Sequence, residues 1–274
     1  MTQDIALIYM VAGISSRFHG KIKQFAKVGP NEENMIEYSL KQALPARFTK
    51  IIFIVGTKTE EPFRKLFGDS YMEIPVFYAQ QHFDPNTRDR PWGTVDALCS
   101  AKDIIDCPFV VCNGDDLYGK NAFRTLVNHL RVHKEAATIG YQLINVLPET
   151  GKTNRGIFQI DPNNNIKTLT EVLDVEKSDL NSKGLKPDDL CSMNIFGLHP
   201  ETLHLLNSKL ESFKEKHKED RKKECLLPNE LSKLINKQQL VMRLYLTKDQ
   251  WFGITNPEDE EIVREALITS QKQS

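Results

Sequence analysis

The fold is decided by a stretch in which an apolar segment is followed by small and polar residues: Ile5-Ala6-Leu7-Ile8-Tyr9-Met10-Val11-Ala12-Gly13-Ile14-Ser15-Ser16-Arg17-Phe18. An apolar segment of this length is typical of a buried parallel strand. Small side chains after it let backbone N–H groups approach a phosphate closely, and Arg17 adds a guanidinium that suits phosphate oxygens. Two interpretations stay open: a loop that holds a nucleoside triphosphate, and an ordinary strand-to-helix turn.

Composition excludes several classes of protein. The 274 residues are 40% hydrophobic and 27% charged, with a formal net charge of −1, which is ordinary for a globular protein and gives no reason to expect a nucleic-acid or membrane partner. No apolar run approaches the roughly 18 residues of a membrane span, and we find no signal-peptide pattern. Five cysteines without zinc-type spacing favour reduced thiols and a cytoplasmic protein.

Strand-like and helix-like segments alternate along the first half of the chain. This alternation predicts an α/β fold with a doubly wound, mostly parallel sheet, in which ligands bind beyond the carboxyl ends of the strands. We predict strands at 4–11, 50–56, 75–80, 107–113 and 136–145, and helices near 34–44, 59–68, 94–105 and 120–134.

The regular alternation of strand-like and helix-like segments ends at about residue 146. The turn-forming residues 161–165 separate two strand-like runs, Gly156–Ile160 and Ile166–Glu171, which predicts a β-hairpin. A further short strand is expected at 192–198 and a helix at 201–224. We therefore predict one domain, with a nucleotide-binding core at 1–145 and acceptor-binding and closing elements at 146–274.

Two adjacent carboxylates, Asp115 and Asp116, follow the apolar run that ends at Cys112. Such neighbours repel each other unless a cation or solvent relieves the repulsion. Mg²⁺ is typically held by one or two carboxylates together with substrate phosphates. The alternatives are a magnesium site and a solvated acidic turn.

A third segment combines Gln81 with the helix start Gly93-Thr94. A glutamine amide offers a donor and an acceptor to a nucleobase, and a helix start with glycine permits close approach of a ligand. Gly-Thr at this position is also a common helix cap.

Taken in order, these motifs resemble the nucleotidyltransferase family that activates sugar 1-phosphates with nucleoside triphosphates. The resemblance is to a bacterial branch more than to the well-defined glucose 1-phosphate enzymes, and it implies the nucleotide-diphospho-sugar transferase fold. It rests on the following segments: Ala12-Gly13-x-x-Ser16-Arg17-Phe18, Lys23-Gln24, Val28-Gly29-Pro30, Glu37-Tyr38-Ser39, Pro91-Trp92-Gly93-Thr94, Asn113-Gly114-Asp115-Asp116, Ser192-Met193-Asn194 and Trp251-Phe252-Gly253-Ile254-Thr255-Asn256-Pro257-Glu258-Asp259.

The resemblance implies roles for individual residues. Asp115 matches the magnesium ligand, and Arg17, Lys23 and Asp115 would carry the catalysis. The nucleotide would be bound by Ala12, Gly13, Ser16, Arg17, Gln81 (or Gln80), Gly93 and Thr94. The residues Gly156, Glu171 and Asn194 match positions that surround the sugar in relatives.

The chain departs from the family pattern at two places. Relatives often carry a second metal-binding aspartate where this chain has Gly253, so Asp116 either serves instead or a single metal binds. The usual proline before the loop lysine is absent, so Lys21 competes with Lys23 for the phosphate role.

The resulting prediction is a Mg²⁺-dependent nucleotidyltransferase that joins a nucleoside monophosphate to a sugar 1-phosphate and releases pyrophosphate. Its partners are a nucleoside triphosphate and a phosphorylated small molecule, and a homo-oligomer is left open. Two alternatives stand beside it: a cytidylyltransferase for a non-sugar phosphate such as phosphocholine, and an inactive regulatory protein that binds nucleotide sugars.

Overall fold

The computed structural model describes residues 3–13, 18, 20–254 and 256–272. Within them the strands are β1 (Ala6–Met10), β2 (Lys50–Val55), β3 (Ser70–Tyr71), β4 (Ile74–Gln80), β5 (Phe109–Asn113), β6 (Asp116–Leu117), β7 (Ala136–Gln142), β8 (Thr153–Ile160), β9 (Ile166–Val175), β10 (Leu190–Leu198), β11 (Met242–Leu246) and β12 (Phe252–Gly253). The helices are α1 (Met35–Ala43), α2 (Glu60–Phe67), α3 (Thr94–Cys99), α4 (Lys120–Val132), α5 (Leu143–Val146), α6 (Pro200–Lys216), α7 (Leu227–Asn236) and α8 (Asp259–Lys272).

Ten of the strands in the described part of the chain form one sheet, in the order β11-β7-β10-β5-β1-β2-β4-β3, with β8 paired to β10 and β9 paired to β8. Strands β1, β2, β4 and β5 are parallel, as are β7 and β11. Strand β10 runs antiparallel between β5 and β7. The predicted α/β fold with a mostly parallel sheet is therefore confirmed, and the short strands β6 and β12 form a separate antiparallel pair.

Helices cover both faces of this sheet because successive strand residues point to opposite sides. In β1, Leu7 and Tyr9 pack with α1, α2 and α4 on one face. Ala6 and Ile8 pack with α3, α6 and α7 on the other. Each residue of the run 5–9 is fully buried, which is why the segment is apolar without alternation.

The hairpin is also confirmed, as β8 and β9 with their turn at 161–165. At this turn the Asp161 carboxylate accepts hydrogen bonds from the backbone N–H groups of Asn163 and Asn165, both at 2.8 Å. A short polar side chain that binds the backbone two residues further on is the usual device of such turns.

Two helices end earlier than predicted. Helix α3 ends at Cys99 and continues only as turns. Helix α6 ends at Lys216. The segment after it is bound by a residue from the first half of the chain, because the Arg88 guanidinium donates hydrogen bonds to the carbonyl oxygens of Asp220 (2.7 Å) and Lys223 (2.6 Å). The predicted division of the chain near residue 145 stays a prediction.

Within the described ranges, no helix combines the length and the apolar character that crossing a membrane requires.

Candidate functional site

A cavity of about 320 Å³ lies where the carboxyl ends of β1 and β5 meet the hairpin. The parallel pairing puts Met10 beside Asn113 at this edge. Strand β10 pairs with β5 through residues 196–198 and with β8 through 191–192. Residues 193–195 lie between these pairings, so the sheet is split at the point where the cavity opens. This agrees with the rule that ligands in such sheets bind beyond the carboxyl ends of the strands.

The cavity lining includes a cluster of charged residues, Lys23, Asp115 and Asp116, which we name the strand-end cluster. The Lys23 ammonium forms an ion pair with the Asp115 carboxylate, and both residues line the cavity. Lys21 is exposed and is not among the described lining residues. The tertiary structure therefore brings Lys23, rather than Lys21, to the acidic pair.

Asp116 is the buried member of this cluster. Its Oδ2 accepts hydrogen bonds from the Asn113 side-chain amide (2.9 Å) and the Tyr118 hydroxyl (3.0 Å). Burial first, and then the charge of Asp115, raises the pKa of Asp116 above its ordinary value. A buried carboxylate with a second carboxylate beside it needs a cation if both are to be ionised.

The cluster suits a metal that shares its ligands with a substrate. In the described part of the chain, no group of three or more His, Cys, Asp or Glu side chains is arranged to hold an ion. Asp115 and Asp116 supply two adjacent hard oxygen donors, and Mg²⁺ is commonly bound by one or two carboxylates plus substrate phosphates. The residues present therefore fit Mg²⁺ together with a phosphorylated ligand.

Gly253 lies directly opposite Asp116 in the short β6–β12 pair. A Cβ atom at Gly253 would be 2.7 Å from Asp116 Oδ1 and 2.5 Å from the Trp251 ring. Both distances are shorter than real contacts allow, so a side chain at 253 would require the Asp116 carboxylate or the Trp251 ring to shift. The space is taken by the Asp116 carboxylate and the indole.

Of the phosphate-loop residues, Ser16 and Arg17 lie outside the described residues. Ala12 and Gly13 follow β1 at the same edge of the sheet. No described atom lies within 4 Å of a Cβ built on Gly13. As far as the described residues go, the surroundings of Gly13 are compatible with the close approach of a ligand.

The proposed base-binding residues are engaged within the protein. Gln81 is buried, and its Nε2 donates to the Gly93 carbonyl (3.0 Å) and the Asp96 carboxylate (2.8 Å). The Lys214 ammonium lies 2.8 Å from the other oxygen of Asp96. Gln81 thus belongs to a buried polar network and is not among the described lining residues.

The structure shows a reason for glycine at position 93 that the sequence did not reveal. Its φ is +98°, and a Cβ there would lie 2.7 Å from the Cys225 carbonyl oxygen. The Thr94 hydroxyl accepts a hydrogen bond from the Leu227 N–H (2.7 Å), although Thr94 also lines the cavity. The space that we assigned to a ligand beside Gly93 is occupied by the backbone of the segment before α7.

The cavity lining also includes Gly156, Glu171 and Asn194, which we name the hairpin cluster. Gly156 pairs with Glu171 in β9 and with Ser192 in β10. Asn194 has a left-handed backbone, φ +60°, within the irregular part of β10. The tertiary structure therefore brings three residues from separate strands to one cavity, and their role in binding the acceptor stays a prediction.

Sequence reasoning missed one charged residue of the cavity wall, Arg155. Its guanidinium lies 5.6 Å from the centre of the Trp251 ring. Ile157, two residues further and on the same face of β8, belongs to the buried core. The sequence signal that could have identified it is an arginine on the same strand face as a core residue.

The comparisons with known proteins agree with this geometry. The nucleotidyl transferase family model matches residues 18–259, and no curated protein matches the chain in sequence. A Bacillus anthracis protein assigned as a glucose-1-phosphate thymidylyltransferase, solved with sucrose, superimposes with a TM-score of 0.70 at 13% identity, over 96% of this chain and 95% of that one.

Two further solved structures share the fold. A UDP-glucose pyrophosphorylase with UDP-glucose gives a TM-score of 0.67 at 15% identity, over 98% of this chain and 99% of that one. HddC from Yersinia pseudotuberculosis with GMP-PN gives 0.62 at 14% identity, over 96% and 99%. Such low identities establish the fold alone, whereas the family model spans most of the chain. The chain therefore belongs to the nucleotidyl transferase family and is a nucleotidyltransferase.

Proposed function

We propose that the protein transfers a nucleoside monophosphate from a nucleoside triphosphate to a sugar 1-phosphate in a Mg²⁺-dependent reaction. The observation that carries this proposal is one cavity lined by both the strand-end cluster and the hairpin cluster. The strand-end cluster supplies charge for phosphates, and the hairpin cluster supplies an amide and a carboxylate group for a polyhydroxylated acceptor.

In the proposed reaction, an oxygen of the acceptor phosphate attacks the α-phosphorus of the nucleotide. A new P–O bond forms, the bond to the β-phosphate oxygen breaks, and pyrophosphate leaves with that electron pair. A phosphomonoester has its second pKa near 6, so the nucleophile is already largely ionised at neutral pH. No general base is required, and the chain's task is to bring two anions together.

The repulsion between the substrates is large enough to require cations. At about 4 Å and an effective dielectric constant near 20, two unit charges repel by roughly 4 kcal/mol. Lys23 stands at the strand-end cluster to offset this repulsion. Asp115 and Asp116 would hold Mg²⁺, which when bound neutralises phosphate charge and polarises the phosphoryl group. Positioning of the two substrates in line supplies the remaining acceleration.

The composition of the cavity favours a sugar phosphate over phosphocholine. A quaternary ammonium group is recognised by aromatic faces. The Trp251 ring already has the Arg155 guanidinium 5.6 Å from its centre, and a second cation there would be repelled. Glu171, Asn194 and Asn154 line the same region and suit hydroxyl groups.

The regulatory alternative depended on the glycine at position 253. Because Asp116 and Trp251 fill the space beside Gly253, the absence of a carboxylate at 253 does not leave the strand-end cluster without a second acid. An active enzyme is the better interpretation.

We place the reaction in the cytoplasm. All five cysteines are unpaired and buried, as expected for a reducing compartment, and nucleoside triphosphates are the proposed substrate.

The test is pyrophosphate release with Mg²⁺ from UTP, dTTP, CTP, GTP and ATP, each against a set of sugar 1-phosphates and phosphocholine. We expect release with at least one pair of a nucleotide and a sugar 1-phosphate, dependent on the acceptor and absent in the Asp115→Asn variant. Release with phosphocholine alone would contradict the sugar assignment. Nucleotide binding without release across the panel would support the regulatory alternative.

A further inference from the structure

The charges that line the cavity do not balance evenly. Among the described lining residues, the charged ones are Lys23, Arg155, Asp115, Asp116 and Glu171. The Lys23 ammonium is paired with Asp115. Arg155 forms no ion pair with any carboxylate of the described residues, and the charge of Asp116 acts on it only at longer range, so its guanidinium has no paired counter-ion among them.

The hydrogen bonds of Arg155 leave part of its guanidinium unused. Its Nη1 donates to the Thr153 hydroxyl (2.9 Å) and the Asn154 carbonyl (3.0 Å), and its Nη2 donates to the Val146 carbonyl (2.5 Å). All three acceptors are neutral. Because a guanidinium has five N–H groups, two remain, and one of them is the buried Nε–H, which has no partner among the described residues.

A second unpartnered donor lies in the same wall of the cavity. The Trp251 indole Nε1–H is buried and has no hydrogen-bond partner among the described residues. Buried donors without acceptors are costly, and each one requires an explanation. Both atoms are shielded from solvent but belong to residues that line one cavity, so this wall has hydrogen-bond donors that the described part of the chain leaves unused.

Strand alternation places Arg155 on the side of the sheet that also holds the strand-end cluster. Arg155 shares its face of β8 with Ile157, whereas Gly156 and Phe158 point to the opposite face with Leu169. Trp251, beside Arg155, also closes the space next to Gly253 and Asp116. Arg155 therefore stands on the side of the cavity where phosphates are expected, while Glu171 pairs with Gly156 on the other side.

We propose that Arg155 binds an anionic group of the acceptor, an assignment that rests on the proposed function. A phosphomonoester carries about −1.5 to −2 charges at neutral pH, and the planar fork of arginine matches its oxygens. Bonds to a charged acceptor are roughly twice as strong as bonds to neutral ones, so an incoming anion displaces the carbonyl partners. The anionic group is either the attacking phosphate or a further acid on the sugar, such as a carboxylate.

The experiment compares Arg155→Met and Arg155→Lys with the Lys152→Met control, which removes an exposed cation outside the cavity. We expect Arg155→Met to raise the KM for the acceptor at least about 30-fold, because one partner of a charge pair is lost, and to change the KM for the nucleotide less than about 3-fold. Arg155→Lys should recover part of the loss, and Lys152→Met should resemble the wild type. An unchanged acceptor KM, or an equal rise in both KM values, would overturn the assignment.

The acceptor panel distinguishes the two sources of the anion. If Arg155 binds the attacking phosphate, Arg155→Met weakens neutral and acidic sugar 1-phosphates alike. If Arg155 binds a further acid, only the carboxylate-bearing acceptors are weakened, and they are the better substrates of the wild type. Either pattern supports an anion at Arg155.

A binding measurement separates this inference from the proposed function. The chain has two tryptophans, so in a Trp92→Phe background the emission comes from Trp251, beside the Arg155 guanidinium. Titration with inorganic phosphate should change this emission, and the change should disappear with Arg155→Met. No response to phosphate in the parent protein would contradict the inference even if turnover is observed. A response without any turnover would leave Arg155 as an anion-binding residue while the transferase proposal fails.

Discussion

The two clusters of the cavity are positioned by different parts of the ten-stranded sheet. The strand-end cluster follows β5, a parallel strand between β1 and β10 whose residues 109–112 are fully buried. The hairpin cluster lies on the antiparallel strands β8, β9 and β10, and many residues of β8 and β9 are half-buried or exposed, Glu171 among them. A buried strand with neighbours on both sides holds its terminal groups in one place, whereas a two-stranded extension is constrained on fewer sides. We infer that the strand-end cluster serves the phosphate chemistry and the hairpin cluster adapts to the acceptor.

The largest expected effect is at the strand-end cluster. Asp115→Ala removes the partner of Lys23 and one of two adjacent carboxylates, so we expect the turnover number to fall at least about 1,000-fold, as for the loss of a metal ligand or of charge stabilisation at the transition state. Steady-state pyrophosphate release measures it. Asp106→Ala is the matched control, because that carboxylate pairs with Lys50 and is 77% exposed. A variant with turnover within 10-fold of the wild type would contradict the role of Asp115.

The second prediction compares two lysines near the same cluster. Lys23→Ala should lower the turnover number about 100-fold, since charge developing on the α-phosphate loses its cation, and it should also weaken nucleotide binding. Lys21→Ala should change both less than about 3-fold, because Lys21 is exposed. Single-turnover rates and nucleotide titrations check the pair. A normal turnover number for Lys23→Ala would remove Lys23 from the mechanism.

A smaller and differently distributed effect is expected at the hairpin cluster. Glu171→Gln should raise the KM for the acceptor about 10-fold, corresponding to about 1.4 kcal/mol for a hydrogen bond to a charged group, and leave the KM for the nucleotide unchanged. Asp174→Asn is the control, an exposed carboxylate on the same strand that is not among the described lining residues. If Glu171→Gln instead alters nucleotide binding, the assignment of the acceptor to the hairpin cluster and of the nucleotide to the strand-end cluster is wrong.

The smallest effect concerns the segment that carries Trp251 and Gly253. Just before it, the Asp249 carboxylate accepts hydrogen bonds from the backbone N–H groups of Asn121 (2.6 Å) and Ala122 (3.1 Å). It therefore caps the start of α4 from a distant part of the chain. Asp249→Ala should lower the free energy of unfolding by about 1–2 kcal/mol, measured by urea denaturation.

Asp249→Asn keeps an acceptor oxygen and serves as the control for the cap. It should lose less stability than Asp249→Ala. Equal stability of Asp249→Ala and the wild type would show that this segment is held by its other contacts.

Much of the fold was predictable from local patterns. The segments that form β1, β2 and β5 are apolar on both faces because helices cover both sides of the sheet. The turn-forming residues at 161–165 correctly indicated the hairpin. Helix α7, strand β11 and helix α8 were not predicted. These segments are short or lack a clear hydrophobic pattern, and they are positioned by packing against elements from much earlier parts of the sequence.

The candidate site was predictable to a different degree at each position. The adjacent pair Asp115-Asp116 is visible in the sequence, but the choice of Lys23 over Lys21 depends on where the 3₁₀ turn at Lys23–Phe25 directs the side chain. Gly93 was recognised as special, but its close approach to the backbone of Cys225 was not foreseen. Arg155 was missed, since its cavity exists only once β8 pairs with β10.

The sequence by itself determined the α/β class, the hairpin and the strand ends where polar chemistry is concentrated, because hydrophobic periodicity and turn residues act over short distances. Only the tertiary structure decided that Lys23 meets Asp115, that Asp116 fills the space opposite Gly253, and that Arg155 and Trp251 form a wall of the same cavity. These contacts join residues that are about 90 to 140 positions apart in the sequence. No local pattern encodes which distant side chains come into contact. They are decided by the order and split of the strands in the folded sheet.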